Sequence, residues 1–166
     1  MRLFVLLLTG IAALLPQQTF AAEPLSATLE AHRVIRAADG KERFSTAAEA
    51  RPGDVLEYRA TYKNVSTQPL RAVMATLPVP SSGVEYLMNS AAPGGAEAST
   101  NGAQFAPPPL KRLVRQSDGK HQQQLVAAAE YRFLRWLLGD LPAGASKTVS
   151  ARVRVISEPV LTTNQQ

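Results

Sequence analysis

The residues able to do chemistry are few and scattered. The 166-residue chain has no cysteine, which removes a thiolate nucleophile, a disulfide framework and a thiolate zinc site. Its two histidines, His32 and His121, stand far apart, and neither has another His, Asp or Glu at metal-ligand spacing. Asp54, Glu57, Asp118 and Asp140 are the carboxylates from which an acid–base pair for hydrolysis would have to be drawn. Three of them adjoin Gly53, Gly119 and Gly139, where turn chemistry explains them. Ser81-Ser82-Gly83 lacks the Gly-x-Ser-x-Gly frame of a nucleophile elbow. No acidic calcium loop and no glycine-rich phosphate loop occurs. The sequence therefore assigns no catalytic residue, no cofactor and no metal. What remains is a basic set, Lys111, Arg112, Arg115, Arg132 and Arg135, interleaved with Tyr131, Phe133 and Trp136. On one face, these cations would meet a polyanion, and the rings would stack on sugars. The plainer reading is a solvated basic face above aromatic core residues. The net charge of +5 comes without a run of four or more basic residues, so nucleic acid is not an expected partner.

Positioning these side chains falls to short strands. Leu56, Tyr58, Ala60 and Tyr62 alternate with Glu57, Arg59, Thr61 and Lys63, which predicts a half-buried strand. Val149, Ala151, Val153 and Val155 alternate in the same way with Ser150, Arg152 and Arg154. Leu25–Ile35 is expected to be an edge strand, and Leu70–Leu77 and Val84–Met88 are further strands. Tyr131–Leu138, apolar on both faces, reads as a central strand. Gly139–Ser146 is expected to be a connection. Asp39-Gly40, Asn101-Gly102 and Asp118-Gly119 are hairpin signals, the last between Leu110–Arg115 and His121–Val126. Pro107–Pro109 suggests an extended polyproline stretch, and Ala127–Glu130 has some helical character that its β-rich setting opposes. Gly53, Gly83 and Gly144 fall where turns need positive φ. The side chain of Asn64 is placed to bond turn backbone. The expected core comprises Leu56, Tyr58, Tyr62, Leu134, Trp136, Val149, Val153 and Val155. The predicted fold is all-β, a sandwich of about seven to nine strands, with a small barrel as the other architecture.

Residues 1–21 have the three parts of a cleavable secretory signal: Arg2, the apolar run Leu3–Leu15, and small residues Thr19 and Ala21. That run falls short of the roughly 20 residues needed to span a bilayer. The alternative is an uncleaved N-terminal anchor. A signal helix removed on export is expected to leave one domain over 22–157, with no transmembrane segment, and a polar tail over 158–166. The expected location is periplasmic or secreted.

Four segments, in order, carry a family resemblance. They are Arg51-Pro52-Gly53-Asp54-Val55-Leu56-Glu57-Tyr58; Lys63-Asn64-Val65-Ser66 with Pro69-Leu70; Leu77-Pro78 with Gly83-Val84-Glu85-Tyr86; and Leu138-Gly139-Asp140-Leu141-Pro142-Ala143-Gly144. Over about residues 45–156 the chain resembles the bacterial conserved-repeat domain known as domain of unknown function eleven. The resemblance implies an immunoglobulin-like β-sandwich in an exported or surface protein, with no catalytic residues. It departs from that pattern in having one copy and no anchor, and in the longer Pro/Gly-rich insert at about 91–120. The expected role is a non-catalytic module, structural or protein-binding, in the cell envelope, with another envelope or surface protein as partner. The alternative is a binding protein for an acidic polymer or glycan, using Lys111, Arg112, Arg115, Arg132 and Arg135.

Overall fold

The computed structural model describes residues 23–48 and 50–157. The expected signal segment and the tail from 158 lie outside them. The described chain is almost all β, with ten strands in antiparallel pairings. In order these are β1 (Leu25–Arg36), β2 (Glu42–Thr46), β3 (Val55–Asn64), β4 (Leu70–Pro78), β5 (Val84–Tyr86), β6 (Glu97–Ser99), β7 (Lys111–Arg115), β8 (His121–Leu125), β9 (Phe133–Leu141) and β10 (Ser146–Val155). This exceeds the seven to nine expected. One 3-10 turn, Ala128–Glu130, satisfies the weak helical signal there.

Five strands form a sheet in the order β2-β1-β3-β10-β5, three form a sheet β4-β9-β6, and β7 and β8 form a hairpin of their own. The period-two rows of β3 and β10 register as Leu56 beside Val153, Tyr58 beside Ala151, and Ala60 beside Val149. Opposite them lie Val73, Ala75 and Leu77 of β4, Leu134, Trp136 and Leu138 of β9, and Ala98 of β6; the two sheets share this single core. Burial of each large side chain in such a core contributes about 1.5–3 kcal/mol. Tyr62 adds a polar tie between the sheets. Its hydroxyl donates to the Thr76 carbonyl at 2.7 Å and accepts from the Thr76 amide at 3.0 Å.

Several expectations are corrected. Tyr58 and Val155 are half-buried, packed against the core, while the other six expected core residues are buried. β1 is not simply an edge: His32–Val34 lie between β2 and β3, while, among the described residues, Leu25–Ala31 pair with β3 alone and Ile35–Arg36 with β2 alone. β9 is central in its sheet, but Leu137 is 69% exposed, because only one face of the smaller sheet meets the core. β9 also runs on to Leu141, so the expected connection shrinks to Pro142–Ala145. The strand continues because Leu141 pairs back to Leu70 across an irregular register near Val73. Residues 107–109 bend instead of extending, as the chain returns from the Ala98–Ala106 bridge to the start of β7.

Candidate functional site

The basic set is distributed around the base of the β7–β8 hairpin. Thr100, Asn101, Gln104–Ala106, Leu110, Val126 and Glu130 line a cleft of about 250 Å³, together with Lys111 and Arg112. The turn at Asn101-Gly102 builds one wall. The Asn101 side chain accepts from the amides of Ala103 and Gln104, and Ser99 Oγ accepts from the amides of Asn101 and Gly102. Gly102 is required there: its φ is +76°, and an added Cβ would lie 3.0 Å from the Phe133 ring. The opposite wall is anchored by Tyr131. This fully buried ring stacks on Tyr86 with centroids 5.6 Å apart, and its hydroxyl accepts from the Leu110 amide at 2.7 Å.

Carboxylates answer two of these five cations. Arg112 pairs with Glu130 at 2.6 Å, and this guanidinium holds the Glu130 carboxyl below the usual range, with Arg132 adding to the effect. Arg135 pairs with Glu97 at 2.6 Å and lies 3.9 Å over the Phe105 ring, which itself lines the cleft. Arg132 donates to the carbonyls of Ala129 and Tyr131 and so clamps the 3-10 turn. Thus Lys111, Arg112, Arg132 and Arg135 gather about the cleft, whereas Arg115 stands further out on the hairpin. Among the described residues, Lys111 and Arg115 make no ion pair. Trp136 is a core residue, with its indole N–H bonded to the Pro93 carbonyl at 2.8 Å, so it is not available for stacking on a ligand.

The four carboxylates weighed for acid–base chemistry are each held by their own turn or cation. Asp54 accepts from the Arg51 amide, Asp118 from that of Lys120, and Asp140 from that of Ala72. Glu57, only 7% exposed, lies between Arg59 at 2.6 Å and Arg152 at 2.8 Å. Arg152 continues to Glu42 through two bonds of 2.9 and 2.7 Å, although β1 and β3 separate β2 from β10. That guanidinium holds the Glu42 carboxyl below its ordinary value. This chain of four charges straps the outer face of the larger sheet. Sequence reasoning missed it: the Glu57–Arg59 spacing is visible in β3, but nothing in the sequence pairs either strand with residue 42 or 152. His32 bonds to Glu30 at 3.1 Å, and His121 sits opposite Arg115 on the hairpin. Among the described residues no three His, Asp or Glu side chains gather as a metal-binding group, and no helix is long and apolar enough to cross a membrane.

No protein-family model matches the chain, and neither does any curated protein or solved structure. The geometry must therefore carry the functional reading.

Two surfaces stand open. The five-stranded sheet is wider than the sheet packed on it, so β1 overhangs. Between the unpaired edge Leu25–Ala31 and the outer strand β4 runs a slot of about 190 Å³. It is lined by Ala27, Leu29, Ala60, Tyr62, Leu77 and Pro78, with Leu29 52% exposed. The second is the β7–β8 hairpin, whose ten strand residues are all exposed.

Proposed function

We propose that this protein is an exported, non-catalytic module with an immunoglobulin-like sandwich fold. Its role is structural or protein-binding, in the bacterial cell envelope. The observation that carries the reading is the slot beside β1. An unpaired strand edge offers backbone N–H and C=O groups to an added strand, and the apolar slot beneath it would receive that strand's alternate side chains. The two packed antiparallel sheets, the signal-like first 21 residues and the resemblance to the conserved-repeat domain support the rest.

The test is a crosslinking pull-down from native envelope and culture medium with the tagged mature chain, at low and high salt. A discrete protein recovered at both salts, and lost with Leu29→Asp, is the expected result. Leu29 is half-exposed, so that change places a charge in the slot without opening the core. Recovery unaffected by the change would overturn the edge reading. A second reading, binding of an acidic polymer or glycan, draws on Lys111 and Arg115, which have no carboxylate partner among the described residues. It expects heterogeneous anionic material that is released at high salt.

A further inference from the structure

The β7–β8 hairpin is an anomaly in energetic terms. A two-stranded hairpin exposed on both faces is at best marginally stable by itself in water. This one is held at its base, by the Val126 amide to the Leu110 carbonyl at 2.9 Å, by Tyr131, and by the Arg112–Glu130 pair. The cross-strand register sorts its side chains onto two faces. Lys111 is opposite Leu125, Leu113 opposite Gln123, and Arg115 opposite His121. Alternation puts these six on one face, and Arg112, Val114, Gln122 and Gln124 on the other.

The first face is unlike the second. Leu113 and Leu125 are 67% and 61% exposed on it, and the only charged side chains there are Lys111 and Arg115. Neither cation has a carboxylate partner among the described residues. On the second face the cation, Arg112, is already neutralised by Glu130. We propose that the Lys111–Leu113–Arg115–Leu125 face of the hairpin is a docking arm for a protein surface in which carboxylates flank an apolar depression. Charge complementarity chooses the partner's sign, and the leucines choose its class. A polyanionic polymer would satisfy the cations and leave both leucines in water. A lipid surface would be met by the hairpin tip, but the tip, Gln116–Lys120, is polar and carries Asp118. Docking the arm covers two exposed leucines and orders an element that has no core of its own. This inference rests on the protein-binding reading above, but uses a different surface from the slot at β1.

The experiment places a photo-crosslinking residue at 113, 124 or 29 in the full chain, expressed in its native cells, and maps adducts by mass spectrometry. The expected result is one discrete protein adduct from position 113, through a peptide rich in Asp and Glu. Position 124, on the other face, should give none. Lys111→Glu with Arg115→Glu should lower the yield about tenfold or more, since like charges across an interface repel. Leu113→Ser with Leu125→Ser should lower it comparably without loss of fold, both positions being exposed. An adduct to polymer or lipid alone, equal yields from 113 and 124, or indifference to the charge reversal would each overturn the arm. A protein adduct from 29 but none from 113 would overturn the arm and leave the protein-binding reading standing. No protein adduct from either position would overturn both.

Discussion

At the residue scale, Asn64 does the most with one side chain. It is fully buried, donates to the Gln68 and Leu141 carbonyls at 2.7 and 2.9 Å, and accepts from the amide and hydroxyl of Ser66. All four of its hydrogen-bonding positions are used, so it locks the β3–β4 turn to the end of β9. Asn64→Ala should cost about 3 kcal/mol, because it strands buried acceptors as well as losing bonds. Asn64→Asp should cost at least as much at neutral pH, since it replaces two N–H donors with a carboxylate oxygen facing two carbonyl oxygens. Urea titration of both variants measures this. Gly102→Ala should cost about 1–2 kcal/mol for the left-handed backbone alone, with the Phe133 ring adding to it; the same titration reads the sum. The turn role of Asn64 was legible in the sequence. Its bond to Leu141 was not, because that partner arrives from a distant strand.

At the element scale, the strands divide into those that make the core and those that do not. β3 and β10 show alternation in sequence and lie side by side in the centre of the larger sheet. β7 and β8 were equally legible as strands, through the Asp118-Gly119 turn, but the sequence could not show that no other described element packs on them. Hydrogen exchange should therefore find their amides exchanging orders of magnitude faster than those of β3 and β10. Replacing residues 111–125 by a short Gly/Ser link between Leu110 and Val126, which are already joined by a backbone bond, should leave thermal stability nearly unchanged. A large fall in Tm would show that the hairpin supports the core. The exposure of Leu137 has the same origin: its apolar character suggested burial, but the smaller sheet has only one covered face.

At the scale of the whole molecule, ion pairs span elements far apart in the chain. Glu42 is held by Arg152 and Glu130 by Arg112, and both carboxyls titrate below their ordinary value of 4.5. A carboxylate whose pKa is lower in the folded than in the unfolded state stabilises the fold above its unfolded pKa. That contribution disappears as pH falls through the folded value. Stability should thus decline below about pH 4.5. Glu42→Gln should flatten that acid limb while lowering stability slightly at pH 7. Thermal melts between pH 3 and 7 give the comparison, and an unchanged acid limb would show that the strap contributes nothing. Salt should weaken these exposed pairs, whereas the Tyr62 tie, made of uncharged groups, should be indifferent to it.

By itself, the sequence determined the strand periods, the main turns and the class of fold, because alternation and glycine- or asparagine-bearing turns are local properties of the chain. It also showed how little there was to build a catalytic site from, since that depends on residue types and spacing. Tertiary structure alone decided which strand lies beside which. It thereby decided that Arg112 and Arg135 are neutralised, while Lys111 and Arg115 have no carboxylate partner among the described residues. It further decided that β1 overhangs its partner sheet and that the β7–β8 hairpin stands clear. Each of these depends on contacts between residues remote in sequence, which no local pattern encodes.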